Sequence, residues 1–142
     1  MQHNSYCDSL IKDILQRTRV VALLGASPNP ERPSNRVMAF LLRKGYRVHP
    51  VNPGQAGKTI HGQRVYASLA DIPEPIDMVD VFRAPDALPA IVDEVLALNP
   101  RPAWIWGQLG VRDDAAADKA EAAGVRVVMD RCPAIEYPRL IG

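Results

Sequence analysis

The sequence predicts an α/β fold: a doubly wound, mainly parallel sheet of about five strands with helices on both faces. Three observations predict it. Short apolar, β-branched runs alternate with amphipathic helical segments along the chain. The first run, Val20 to Leu24, passes through Gly25 into a helix, as a buried parallel strand does in a strand–turn–helix unit. The chain has 142 residues, 47% of them hydrophobic, which is the size and content of one ordinary domain with a proper core.

The elements follow in order. Leu10, Ile11, Ile14 and Leu15 recur at helical spacing between Asp8 and Gln16, so residues 1–17 form a helical extension ahead of the first strand. After the glycine turn, Ser34 is read as an N-cap. Val37, Met38, Phe40, Leu41 and Leu42 form the buried stripe, and Gly45 stops the helix. A second strand runs from Tyr46 and Arg47 to Val51. A polar stretch from Gly54 to Gly62 leads to Arg64–Ala67, read as a short edge strand. Met78–Phe82 is the next strand, and Pro85 opens a helix that buries Leu88, Ile91, Val92, Val95 and Leu96 and ends at Asn99-Pro100. Ala103–Trp106 is a strand. Asp113 caps a helix reaching Ala123 and Gly124, and Val125–Met129 is the last strand. With right-handed crossovers these units make one domain over residues 1–142, with ligands bound beyond the carboxyl ends of its strands.

Bulk properties narrow the partners. Lys+Arg of 17 against Asp+Glu of 16 leaves +1 with no block of like charge, which points away from nucleic acid and membrane surfaces and toward a small molecule. Cys7 and Cys132 have neither disulfide-framework nor zinc spacing and fit a reducing, cytoplasmic setting. The polar start and the shortness of the Val20–Leu24 run fit neither a signal segment nor a span.

The Gly25 turn has the layout of a phosphate site, since the following helix offers unpaired backbone N–H groups. It departs from the dinucleotide fingerprint G-x-G-x-x-G, because Ser27 and Pro30 stand where its second and third glycines belong. The acidic residue that holds a ribose diol in such units is replaced by Asn52, with Arg47, Lys58 and Arg64 nearby, which suits a phosphorylated ribose. The strand ends supply a rim of Gly25-Ala26-Ser27, Asn52-Pro53, Arg83-Ala84-Pro85, Gly107-Gln108-Leu109-Gly110 and Asp130-Arg131-Cys132-Pro133. No catalytic residues and no metal ligands are assigned there, because no Ser–His–Asp grouping, carboxylate pair or metal-spaced cluster occurs at these positions. Two competing functions remain open: an NAD(P)-binding oxidoreductase, and an interaction module with a vacant crevice that dimerises or binds a protein partner.

These segments resemble the CoA-binding domain family, found as small stand-alone proteins and as the N-terminal domain of the succinyl-CoA synthetase alpha subunit, which gives the fold its Rossmann-like character. The resemblance rests on Gly25-Ala26-Ser27, Arg32-Pro33-Ser34 with Arg36, Val51-Asn52-Pro53, Val79-Asp80-Val81-Phe82-Arg83, Gln108-Leu109-Gly110-Val111 and Met129-Asp130-Arg131-Cys132-Pro133. It implies that Gly25, Ala26, Ser27 and Arg36 receive the pyrophosphate of coenzyme A or an acyl-CoA. Asn52 and Pro53 would lie near the adenosine, Phe82, Arg83 and Ala84 across the adenine, and Gln108 and Gly110 along the pantetheine. The synthetase carries a lysine just after its Val-Thr-Pro-Gly segment; here Gln55 stands there, leaving Lys58, Arg32 or Arg47 for the 3′-phosphate. The synthetase's catalytic histidine lies in a following domain without counterpart here, so the resemblance implies binding without thioester synthesis.

Several residues carry two readings. Cys132 either meets the CoA thiol and forms a mixed disulfide, or is a small buried side chain beside Pro133. Cys7 is read as inert. His3, His49 and His61 have no second ligand at metal spacing. Trp104 and Trp106 share a strand face and are read as core, the alternative being that Trp106, next to Gly107, reaches the crevice. Asp80, between Val79 and Val81, needs a partner such as an arginine or backbone amides. Asp113 and Asp114 are helix-capping residues.

Overall fold

The structure is a computed structural model and describes residues 2–142. Among the described residues, five α-helices and seven strands follow in the order α1 (Asp8–Arg17), β1 (Val20–Leu24), α2 (Pro33–Arg43), β2 (Arg47–Val51), β3 (Thr59–Ile60), β4 (Gln63–Arg64), β5 (Met78–Val81), α3 (Leu88–Leu96), β6 (Trp104–Gly107), α4 (Asp114–Ala122), β7 (Arg126–Val128) and α5 (Pro133–Leu140). The main sheet is parallel throughout, in the order β2-β1-β5-β6-β7. The chain steps outward from β1 to β2, then returns to the other side of β1 for β5. The topological switch therefore lies between β1 and β5, and their carboxyl ends border the crevice where such folds hold ligands.

Alternation along the strands divides the core into two layers. Val21, Leu23, Trp104, Trp106 and Val128 pack with Ile11, Ile14, Val37, Met38 and Leu41 on the α1, α2 and α5 face. Ala22, Val79, Val81, Ile105 and Val127 pack with Leu88, Val92, Ala117 and Ala120 on the α3 and α4 face. Both tryptophans are core residues, and Trp106 Nε1 donates to Arg131 O at 2.9 Å. Asp113 caps α4 as expected, accepting from Ala116 N at 3.0 Å.

The structure corrects several expectations. Ser34 is not the N-cap of α2; the extended residue before the helix is Arg32, and Pro33, with its φ already fixed, starts the helix one position before Ser34. Residues 64–67 are not an edge strand. Gln63–Arg64 instead pairs with Thr59–Ile60 in a small antiparallel hairpin, and Tyr66 alone bridges Val51. Helix α5 was not anticipated, because its eight residues include Pro133 and Pro138 and show little apolar periodicity. Among the described residues Asp80 has no hydrogen-bond partner: both carboxylate oxygens are buried, and the residue is 0% exposed between Leu23 and Trp106 in the sheet. Burial pushes its pKa well above the usual carboxylate range.

Candidate functional site

Gly25 ends β1 with φ of 89°, and a Cβ there would sit 2.3 Å from the carbonyl oxygen of Phe82. The glycine is required first by the close packing of β1 against β5 and by its left-handed backbone. The loop beyond it is held by its own polar groups. Gly25 N and Ala26 N both donate to Val51 O, Ser27 Oγ accepts from Asn29 N at 3.1 Å, and Asn29 Oδ1 accepts from Glu31 N at 2.9 Å. Asn35 Nδ2 reaches back to Ser27 O at 3.0 Å, and Asn52 Nδ2 donates to Ala26 O at 2.8 Å. The Ala26–Ser27 peptide is trans, so holding its carbonyl on Asn52 aims the Ser27 N–H the opposite way.

A cavity of about 520 Å³ opens at the switch point. Its walls bring together Gly25, Ser27, Arg32 and Ser34 from one side and Phe82, Arg83, Gln108 and Val111 from the other. Among the described residues, neither Ser27 N–H nor Ser34 N–H has a hydrogen-bond partner, and no acidic side chain lines the cavity. Ser34 N–H is the first backbone donor of α2, since Pro33 has none, so the helix dipole and two arginines act on the same space. Gln108 is 7% exposed, and its Oε1 is buried without a partner while its side chain borders the cavity. A buried acceptor without a partner is unfavourable. A smaller adjoining cavity of about 230 Å³ is lined mainly by small and apolar residues, among them Leu24, Pro53, Ala67, Ala87 and Ala90, with Arg83 shared between the two.

Of the residues expected from sequence, the structure gathers Gly25, Ser27, Arg32, Phe82, Arg83 and Gln108 around the larger cavity and puts Pro53 on the smaller. The others stand elsewhere. Ala26, within the loop, is buried and lines neither cavity. Arg36 is turned back, donating from Nη1 to Glu31 O at 2.9 Å. Both ends of the Asn52 carboxamide are taken, since Oδ1 also accepts from Gly54 N at 2.9 Å. Lys58 is exposed in the loop after β2, and neither it nor Ala84 lines either cavity. Gly110 donates its N–H to Asp130 Oδ1 at 2.7 Å, leaving its neighbours Leu109 and Val111 to face the cavity. Cys132 is 6% exposed within the α1, α2 and α5 layer and lines neither cavity. Arg47 lies at the amino end of β2, paired with Glu74 at 2.6 Å, one strand length from the crevice.

Sequence reasoning missed Asn35 and His61, which brace the loop, and treated Ser34 only as a cap. Nothing local in the sequence marks Asn35 for this role, because its partners Ser27 and His61 meet it only through the fold. Among the described residues no cluster of three or more His, Cys, Asp or Glu side chains is arranged to hold a metal ion, and no helix is long and apolar enough to cross a membrane.

Comparison with known proteins gives a consistent picture. A family model described as CoA binding domain matches residues 19–138. The chain is 37% identical over 125 residues to the uncharacterized protein YneT of Bacillus subtilis, covering 86% of this chain and 87% of that one. A solved structure of the cell-free protein ID.343 from Thermus thermophilus is 42% identical and superposes with a TM-score of 0.88, covering 96% of this chain and 100% of that one. An 86-residue stretch is 29% identical to the alpha subunit of an ADP-forming acetate–CoA ligase from Pyrococcus furiosus, spanning 58% of this chain but 19% of that subunit.

Proposed function

This chain belongs to the CoA-binding domain family, and from that premise we propose that it binds coenzyme A or an acyl-CoA across the carboxyl ends of its parallel strands, without chemistry of its own. The observation that carries the reading is the donor set of the larger cavity. Two unpaired backbone N–H groups, on Ser27 and Ser34, converge there with Arg32 and Arg83 and no acid, which fits a pyrophosphate. The orphan Gln108 Oε1 fits an amide N–H of a pantetheine arm leaving that site. The smaller cavity, walled by Pro53 and small alanines and shared through Arg83, fits a flat adenine ring. In this reading Asn52 positions the loop and does not touch the ribose. Arg32 or Lys58 reads the 3′-phosphate, because Arg47 is committed to Glu74 at the far end of its strand. Residues 1–142 act as one binding domain, with α1 as its extension.

Calorimetric titration of the reduced protein with CoA, 3′-dephospho-CoA and NAD tests the proposal. Micromolar or tighter binding of CoA is expected, weaker binding of the dephospho form, and no heat from NAD. Equal affinity for CoA and its dephospho form would remove the 3′-phosphate contact. Binding of NAD alone, or of none of the three, would overturn the reading.

A further inference from the structure

Asn35 and His61 are polar side chains for which CoA binding leaves no direct contact, yet both are tied to the phosphate loop. Asn35 is the third residue of α2 and is 6% exposed. Its carboxamide is used at both ends, with Nδ2 donating to Ser27 O at 3.0 Å and Oδ1 accepting from His61 Nε2 at 2.9 Å. The same ring nitrogen lies 3.1 Å from the Asn35 carbonyl oxygen. Both neighbours of Nε2 are acceptors, so Nε2 carries the proton.

His61 holds this position with a left-handed backbone. With Gly62 it forms the two-residue turn between β3 and β4, at φ of 48° and 76°. That is the signature of a type I′ turn, whose first central residue is usually Asn, Asp or Gly. A histidine there is less favourable for the turn than asparagine, and its ring is what spans the gap to Asn35. The Asn35 bracket also has a counterpart in Asn52, whose Nδ2 holds Ala26 O while Oδ1 accepts from Gly54 N. Two carboxamides thus grip two successive carbonyls, those of Ala26 and Ser27. Each is itself fixed at its oxygen end by a separate donor.

We propose that His61, acting through Asn35, is a positioning residue that presets the anion-binding geometry of the loop from Gly25 to Ser27. Its hydrogen bond locks the Asn35 carboxamide and Asn35 holds the Ser27 carbonyl, so that, with Asn52 holding the Ala26 carbonyl, both peptide planes flanking Ser27 are set before any anion arrives. Preorganisation of this kind raises affinity by removing the ordering cost from the binding step. The identity of the anion rests on the CoA reading; the relay itself rests on loop geometry alone.

The test is His61→Asn, which suits the turn but is too short to reach Asn35. Affinity for CoA and for inorganic pyrophosphate is expected to fall about 3- to 10-fold, the effect of one lost hydrogen bond. Tm should stay level or rise, and the Ser27 amide resonance should shift and broaden as the peptide planes beside it lose their fixed setting. His61→Gln, with a longer donor, should recover part of the affinity. Asn35→Ala, which removes the bracket on Ser27 O without adding a charge, should reproduce the loss. Failure of the wild-type protein to bind CoA would sink the CoA reading while leaving pyrophosphate affinity and the Ser27 amide resonance to decide the relay. An unchanged Ser27 amide resonance in His61→Asn, or an affinity loss matched by a proportionate drop in Tm, would overturn it.

Discussion

Two residues carry opposite conflicts between local chemistry and fold. Gly25 can be nothing larger, because a methyl group would meet Phe82 O at 2.3 Å on a backbone already at φ of 89°. Gly25→Ala should destabilise the protein by about 2–5 kcal/mol, combining left-handed strain with overpacking, read as a fall in urea midpoint at constant slope. Asp80 is the reverse, a carboxyl kept where an apolar or amide side chain would sit more easily, buried at 0% exposure with neither oxygen bonded. Its pKa is raised by burial, so the fold binds its proton more tightly than the unfolded chain does. Stability contributed by the protonated form is present below the unfolded carboxylate pKa near 4 and is lost as pH rises toward the folded value. Asp80→Asn removes that titration and should gain about 1–3 kcal/mol on the wild type at pH 7.5, with a smaller gain at pH 4.5. An equal gain at both pH values, in denaturant titrations, would mean the group ionises normally. At the cavity wall, Ser27→Asp sets a carboxylate against the proposed pyrophosphate, and CoA binding should vanish with the fold and Tm preserved; unchanged affinity would remove the site.

At the scale of elements, helix starts distinguish what side-chain identity says from what backbone geometry enforces. Asp113 accepts from Ala116 N and caps α4, so Asp113→Ala should cost about 1 kcal/mol in thermal or urea melts. Ser34 has an equally good capping side chain but sits inside α2 behind Pro33, so Ser34→Ala should show no capping loss. The same contrast explains what the sequence made readable. β1, β2, β5 and β6 were legible because each is a compact apolar run bounded by glycine, proline or charge, and the glycine turn after β1 announced the anion site. The hairpin of β3 and β4 was not, since two-residue strands carry no periodicity and His61-Gly62 is an unusual turn pair. Helix α5 escaped because prolines at positions 133 and 138 masked eight residues whose burial depends on α1 and α2. Within the site, the residues on strand ends were legible, while Asn35 and His61 were not, because a side chain that supports another group through space leaves no local pattern.

Across the whole molecule, the crevice lies where the two hydrophobic layers meet. The loop before α2 belongs to the α1, α2 and α5 face, whereas residues 83–91 lead into α3 on the other, and Arg83 borders both cavities. A ligand spanning the switch between β1 and β5 therefore links the layers that the sheet otherwise separates. Ligand that binds only the folded state stabilises it by about 2.7 kcal/mol at a hundred times its Kd. For a chain of this size that corresponds to a rise of about 10 °C in Tm. Hydrogen exchange should localise the effect: added CoA should slow amides in 25–36 and 82–91 together, with little change at the amino ends of the strands, where Asp77 Oδ2 accepts from the backbone N–H groups of Arg19 and Val20. Protection confined to one layer would place the ligand off the switch point. A Tm rise retained in Ser27→Asp would mean the stabilising molecule sits elsewhere on the protein.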